Sequence, residues 1–378
     1  MRRFILKINN FIYNCLAKPI LFRIPPDKTH SDMIKFTSAA GKSSFIRWFV
    51  GLIYKGYIDE RLVQNFHGIE FDSPVGLSAG LDKNGEIVPI ISNLGFGFGE
   101  VGSVTAKSCA GNPRPWFYRL PKSQSLVVNA GLANEGSVAV IKRLRDYPIA
   151  AINNFPIILS VAKTNCLQVV SIAQGIDDYA TTVKRAKGVS RIKIVELNIS
   201  CPNTFGGEPF TTPDKLERLL KAVSRVGVRQ PIYIKMPVDL DWSDFKKLLD
   251  IAIKYKIAGV TIANLYKDRK KLDLKDELPD TVHGNLSGKP TWNKSNELIR
   301  QTYLAYGNKL NIIGVGGIFS AQDAYTKIRL GASLVEVVTG MIFNGPQIAA
   351  EINYGLIKLL EADGFESISQ AIGIDAKK

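Results

Sequence analysis

The stretch 311–340, NIIGVGGIFSAQDAYTKIRLGASLVEVVTG, decides the fold. It opens on an apolar, β-branched run, NIIGV, and closes on a second one, LVEVVT. Between them AQDAYTKIRLGAS has helical periodicity, with Ser320 placed as an N-cap. A near-continuous apolar strand, an amphipathic helix and another such strand form the unit of a parallel sheet covered by helices. The same unit recurs along the chain. Strands are expected at 75–79, 99–104, 156–162, 194–199, 231–236, 258–263, 311–315 and 334–339. Longer helical segments such as LDIAIKYKIAG (249–259) lie between them. Eight such units predict an α/β fold, a closed (β/α)8 TIM barrel. A doubly wound open sheet is the alternative, but no GxGxxG fingerprint follows the first strand.

Of 378 residues, 46% are apolar and 22% charged, which suits an ordered globular protein. The formal net charge is +15, with Lys and Arg spread along the chain. A nucleic-acid binder would concentrate them, so no nucleic-acid partner is expected; a generally basic surface or an anionic membrane face is. Four cysteines, none in a CxxC pair, lie far in sequence from the three histidines. No metal site and no disulfide framework are expected, and the sparse cysteines suit a reducing compartment.

The N-terminus divides from the rest. MRRFILKINNFIYNCLAKPILFRIPP (1–26) makes a poor signal peptide, because Lys7 and Lys18 interrupt its apolar part. With HSDMIKFTSAAGKSSFIRWFVGLIYKGY (30–57) it reads as helices with aromatic and apolar residues on one side and basic residues on the other. Two readings stand side by side: an in-plane membrane helix, or a helical hairpin packed on the main domain. The division expected is a helical, membrane-associating extension at 1–60 and the barrel at 61–378.

A barrel of this kind builds its active site just after its strands. There stand Gly80 and Lys83, Thr105 and Lys107, Cys201 and Asn203, Asn264, GVGG (314–317) and TG (339–340). Glycines after the last two strands let backbone N–H groups approach a phosphate, which points to a phosphorylated cofactor. VELNISCPNTFGGEP (195–209) leaves the role of Cys201 open: metal ligand, half-disulfide, nucleophile, proton acceptor or small buried side chain. Lys235, inside the apolar run of IYIKMP, is unusual unless paired. Asn112 and Pro113 read as turn chemistry, and KDRKKLDLKDE (267–277) as a solvated, mobile loop or a lid.

Together, SAGLDKNGE, GFGEVGSVT, GNPRPWFYRLP, NISCPNT, LSGKP, IIGVGGIFSAQDAYTKIRLGAS and AIGIDAKK resemble the dihydroorotate dehydrogenase family over nearly the whole chain. The resemblance implies an FMN-containing barrel that oxidises dihydroorotate to orotate in pyrimidine synthesis. It places Lys83 near flavin and substrate. Asn129, Asn198, Asn203 and Asn264 would hold the dihydropyrimidine ring, each amide both donating and accepting. Gly80, Ser103, Ser160, Lys235, Gly288, Gly316, Gly317, Thr339 and Gly340 would hold FMN, with Lys235 supplying a positive charge beside the flavin ring. Cys201 becomes the base for the C5 proton, its thiolate favoured by a neighbouring cation.

The resemblance is mixed. The N-terminus, AGLDKNG and GNPRPWFYRLP are similar to the quinone-linked, membrane-bound class, and Arg119 matches an arginine of its quinone site. NISCPN and NAGLANEG are similar to the soluble, cysteine-based class, as is Ser160. Leu265 stands where a hydroxyl is usual, and Val338 where the quinone class has a tyrosine. The expectation is electron transfer to a membrane quinone by a monomer or homodimer. It would lie peripherally on the cytoplasmic side of a bacterial inner membrane, or on the mitochondrial inner membrane of a eukaryote. Alternatives are another dihydropyrimidine, fumarate as acceptor, or a degenerate barrel that only binds.

Overall fold

The computed structural model describes residues 2–378. Its strands, in chain order, are β1 (Gln64–Phe66), β2 (Ile69–Phe71), β3 (Val75–Leu77), β4 (Phe98–Val104), β5 (Phe117–Leu120), β6 (Ser125–Val128) and β7 (Ile157–Val161). They continue as β8 (Ile192–Asn198), β9 (Ile232–Met236), β10 (Gly259–Ile262), β11 (Asn285–Gly288), β12 (Asn311–Val315) and β13 (Leu334–Val337). Strands β3, β4, β7, β8, β9, β10, β12 and β13 close into one parallel barrel, in that order around the ring. These are the eight strands expected, each within a few residues of its expected bounds. Almost every residue in them is buried, so an apolar run with no alternation was the signal to look for. Ser320 caps its helix as expected, its Oγ accepting from the Asp323 N–H at 3.1 Å.

Two pieces lie outside the repeat. β1 and β2 form an antiparallel hairpin. Its Phe71 packs with Phe98, Ile158, Ile194, Tyr233, Ile313 and Leu334, residues at or near the starts of six barrel strands. The hairpin therefore plugs the N-terminal end of the barrel. β5, β6 and β11 form an antiparallel sheet inserted after β4 and β10. Under it Leu120, Val127 and Leu286 pack against Leu272, Leu274, Leu278 and Val282. The segment 267–277 is thus no freely solvated loop: its leucines are packed, and Asp276 accepts from the N–H groups of Lys122 and Ser123.

The N-terminal residues are helical, with α1 (Arg2–Phe11), a π-helical turn over Ile12–Ala17, α2 (Lys18–Arg23), α3 (Pro26–Lys42) and α4 (Ser44–Tyr54). The segment packs on the main domain. Asp27 accepts from the backbone N–H groups of Trp116 and Phe117, at 3.0 and 3.3 Å, docking α3 on β5. Yet 13 of the 21 large apolar side chains exposed among the described residues lie within its first 52 residues, Phe36, Phe45 and Trp48 among them. So dense a patch marks an interaction surface. Among the described residues no helix is long and apolar enough to cross a membrane.

Phe98 is wholly buried at the plugged end and meets Phe71 edge-on at 5.5 Å between ring centroids. Phe98→Ala should cost about 3–5 kcal/mol of stability. Chemical denaturation followed by circular dichroism measures it, and a loss below about 1 kcal/mol would count against the plug.

Candidate active site

The strand C-termini open onto a cleft with about 540 Å3 of atom-free space, its mouth included. Gly288, Gly316, Gly317, Thr339 and Gly340 line one part of it, and Lys235, Asn264 and Leu265 another. At the glycine part the Ser287 and Thr339 hydroxyls lie 2.9 Å apart. Gly316 has φ +110°, and a Cβ there would stand 2.5 Å from Thr291 Oγ1, so only glycine fits. Gly80 has φ +107°, with nothing within 4 Å of where its Cβ would be, and leaves open room at the rim. Short hydroxyls and bare backbone suit a phosphate; the polar end suits a flat heteroaromatic ring.

Below the ring end lies a buried charge cluster. Lys235 Nζ is 2.7 Å from Glu100, 3.7 Å from Glu336 and 3.9 Å from Glu196, and all four side chains are buried. Thr261 donates a short hydrogen bond to Glu196. Burial alone would push the Glu100 carboxyl up, but the Lys235 ammonium together with hydrogen bonds from Glu196, Lys235 and the Ala79 N–H outweighs it and holds Glu100 down at about 2. Glu196 and Glu336 go the other way: burial, then the charge of Glu100, pushes both well above the usual carboxylate range. Lys235 is held above its ordinary value by Glu100, Glu196 and Glu336 against its own burial. Its positive charge is shared with these acids. Glutamates inside strands were the available signal, because a barrel-facing acid among apolar neighbours needs a partner.

The amides form two groups. Asn198 donates to Ser103 Oγ at 2.8 Å, and Ser103 meets Ser160 Oγ at 2.9 Å. Asn264 donates to Asn198 Oδ1 and to Ser200 Oγ, both at 3.1 Å, while its own Oδ1 accepts from the Leu265 N–H. Asn264 thus braces Asn198. In the second group Asn203 donates to Val128 O at 2.9 Å and accepts from Asn285. Asn112 donates to Asn129 Oδ1 at 2.9 Å and to Asn203 O at 3.1 Å, and accepts from Asn165. Asn112 is therefore part of this network and not turn chemistry alone. Asn112, Asn165 and Asn285 were missed because each looks like an ordinary loop residue in sequence.

Cys201 lies half-buried on the loop after β8. Burial pushes its thiol up to about 12; the Asn203 N–H and the Lys163 ammonium oppose this and do not win. A cation stands near the thiol as the resemblance implies, but burial outweighs it and favours the thiol form. Lys163 was not singled out in sequence. It is 4% exposed, its Nζ donates to Phe205 O at 2.7 Å, and burial lowers its pKa.

Lys83 Nζ lies 3.4 Å from His30 Nε2 of α3 and 5.2 Å from the Phe117 ring centroid. Burial lowers Lys83 to about 8, and burial with the Lys83 and Arg114 charges lowers His30 to about 3. The neutral imidazole can accept from the ammonium. Arg119 serves the same helical segment: it donates to Phe22 O, Ile24 O and Thr29 Oγ1, at 2.8–3.3 Å, and stacks on Phe22. Among the described residues no group of three or more His, Cys, Asp or Glu side chains is placed to hold a metal ion.

The profile of the dihydroorotate dehydrogenase family matches residues 61–360. A Haloarcula marismortui protein named dihydroorotate dehydrogenase (quinone) is 35% identical over 365 residues, 95% of this chain and 98% of that one. One of the same name from Gloeobacter violaceus is 36% identical over 361 residues, with the same coverage. The solved ligand-free DHODH of Eimeria tenella superposes with a TM-score of 0.82 at 29% identity, covering 93% of this chain and 99% of that one.

Because the Cys201 thiol is raised, its alkylation by iodoacetamide should accelerate about tenfold per pH unit from pH 7 to 10. Peptide mass spectrometry reads the site, and a rate that levels off near pH 8 would contradict the burial argument.

Proposed function

We propose a division of labour in the cleft, starting from the family to which the chain belongs, dihydroorotate dehydrogenase. The chain is a flavoenzyme that oxidises dihydroorotate to orotate with a quinone as electron acceptor. The flavin in this reading is FMN. Two features of the cleft support it: a bare glycine wall at 316–317 fit for a phosphate, and the two orphaned oxygens of Glu336 at the ring end. Gly288, Gly316, Gly317, Thr339 and Gly340 would hold the phosphate, with Gly80, Lys83, Ser103, Ser160 and Lys235 toward the ring. Bound there, FMN supplies a two-electron acceptor that takes hydride from substrate and yields electrons to the quinone.

The chain's own residues do the rest. Asn129, Asn198 and Asn203 orient the dihydropyrimidine ring, and Asn264 fixes the amide of Asn198. Lys83 offers a cation to the substrate carboxylate, backed by neutral His30. Cys201 accepts the C5 proton. Its raised pKa makes the thiolate scarce but strongly basic. The single observation that carries this reading is spatial: Asn264, which braces Asn198, lines the same cleft as Lys235 and the glycine wall.

Residues 1–60 are the membrane-associating extension and 61–378 the FMN-binding barrel in this reading. The exposed faces of Phe36, Phe45 and Trp48 rest on a membrane surface, where a quinone is met, and Arg119 holds the segment nearest the quinone path. The protein is then peripheral, a monomer or homodimer.

In stopped flow, Cys201→Ala should keep its flavin while reduction by dihydroorotate slows about 10²–10⁴-fold. Unchanged reduction would remove Cys201 from the role of base. For the wild type the rate should climb with pH from 7 to 9, because a raised thiol pKa leaves thiolate still accumulating there. Co-sedimentation of the full chain with anionic liposomes should fall at least several-fold when Phe45 and Trp48 are both replaced by Ser. Equal sedimentation would argue against this face as the membrane contact.

A further inference from the structure

Of the three acids in the buried cluster, only Glu336 lines the cleft. It is 1% exposed, and neither of its carboxyl oxygens has a hydrogen-bond partner among the described residues. The groups facing it are Lys235 on β9 at 3.7 Å, Glu100 on β4 and the hydroxyl of Ser78, with the charge of Glu196 on β8 felt as well. One ammonium cannot match three carboxylates. Lys235 lies closest to Glu100, which leaves Glu336 as an acid with its proton in place, beside Glu100 and Ser78 and open to the cleft. A buried polar group without a partner, aimed into a ligand cleft, points to the ligand as the missing partner.

The inference rests on the flavin reading above. We propose that Glu336 is the proton donor to the bound flavin ring: as the ring takes a hydride, the Glu336 O–H bond breaks and its proton passes to a ring nitrogen. The carboxylate that remains is held by Lys235. The balance closes. The hydride brings two electrons and one proton to the ring, and Glu336 brings the second proton. The reduced ring is neutral and the glutamate anionic. When the quinone is reduced, two electrons and two protons leave the ring to form quinol, and Glu336 regains a proton from solvent. The charge of reduction is thus lodged on a side chain built to carry it.

The test uses the full chain loaded with FMN and reduced anaerobically with dithionite, so that it does not depend on dihydroorotate. Between about pH 7 and 9 the wild type should show the absorption of neutral reduced flavin. Glu336→Gln keeps the shape and a donor but has no transferable proton, and should show anionic reduced flavin over the same range. Infrared difference spectra, reduced minus oxidised, should show loss of a protonated carboxyl band in the wild type and none in the variant. Identical reduced spectra in the two proteins would overturn the proposal. Should the variant not hold FMN, the wild-type infrared spectrum decides alone: loss of the band supports the donor, an unchanged band overturns it. A chain that takes up no FMN overturns the flavin reading and this proposal together. Reduction by dithionite but not by dihydroorotate overturns only the substrate reading.

Discussion

Lys235 and Glu100, 2.7 Å apart inside a closed barrel, set a condition that the surrounding strands must meet. An ion buried without its partner costs several kcal/mol. Slipping β4 or β9 by one residue would turn its charged side chain from the interior to the helices outside. The cluster therefore pins register in β4, β8, β9 and β13 together. Register in turn aims the rim. Asn198 lies two residues beyond Glu196 on β8 and so shares its inward face. The layer of charge and the layer of amides above it are two readings of one register.

The N-terminal helices are tied to that rim by Arg119, Asp27 and His30. Arg119 spends its donors on Phe22 O, Ile24 O and Thr29 Oγ1. Asp27 satisfies backbone N–H groups at the start of β5, and His30 reaches Lys83. An extension that could have been a detachable anchor thus completes the surroundings of a site lysine. Its outward face keeps the aromatic residues that the barrel does not use.

The barrel was legible in the sequence because its strands are buried on both faces and so read as unbroken apolar runs. Ser320 was legible because capping is local. The hairpin β1–β2 and the sheet β5–β6–β11 were not, since short antiparallel segments between loops carry no long period. Leu272 and Leu274 sit among lysines and aspartates, which concealed a packed segment as a solvated one. In the site, Lys235, Asn264, Gly288, Gly316, Gly317, Thr339 and Gly340 line the cleft together, whereas Lys83, Asn129, Asn203 and Cys201 stand outside its lining. What escaped were effects that depend on fold-level neighbours: Lys163 beside Cys201, Asn112 joined to Asn129 and Asn203, and Glu336 beside Lys235. Charge followed the same rule. Lys235 was visible as an oddity in IYIKMP, but Glu100, the acid closest to it, lies on a strand 135 residues away.

The hairpin that packs Phe71 into the floor makes the barrel a well and not a tunnel. Nothing passes through it from end to end. Substrate, product and the carrier that removes the electrons must all be exchanged over the one open rim, so turnover is a matter of traffic as much as of chemistry.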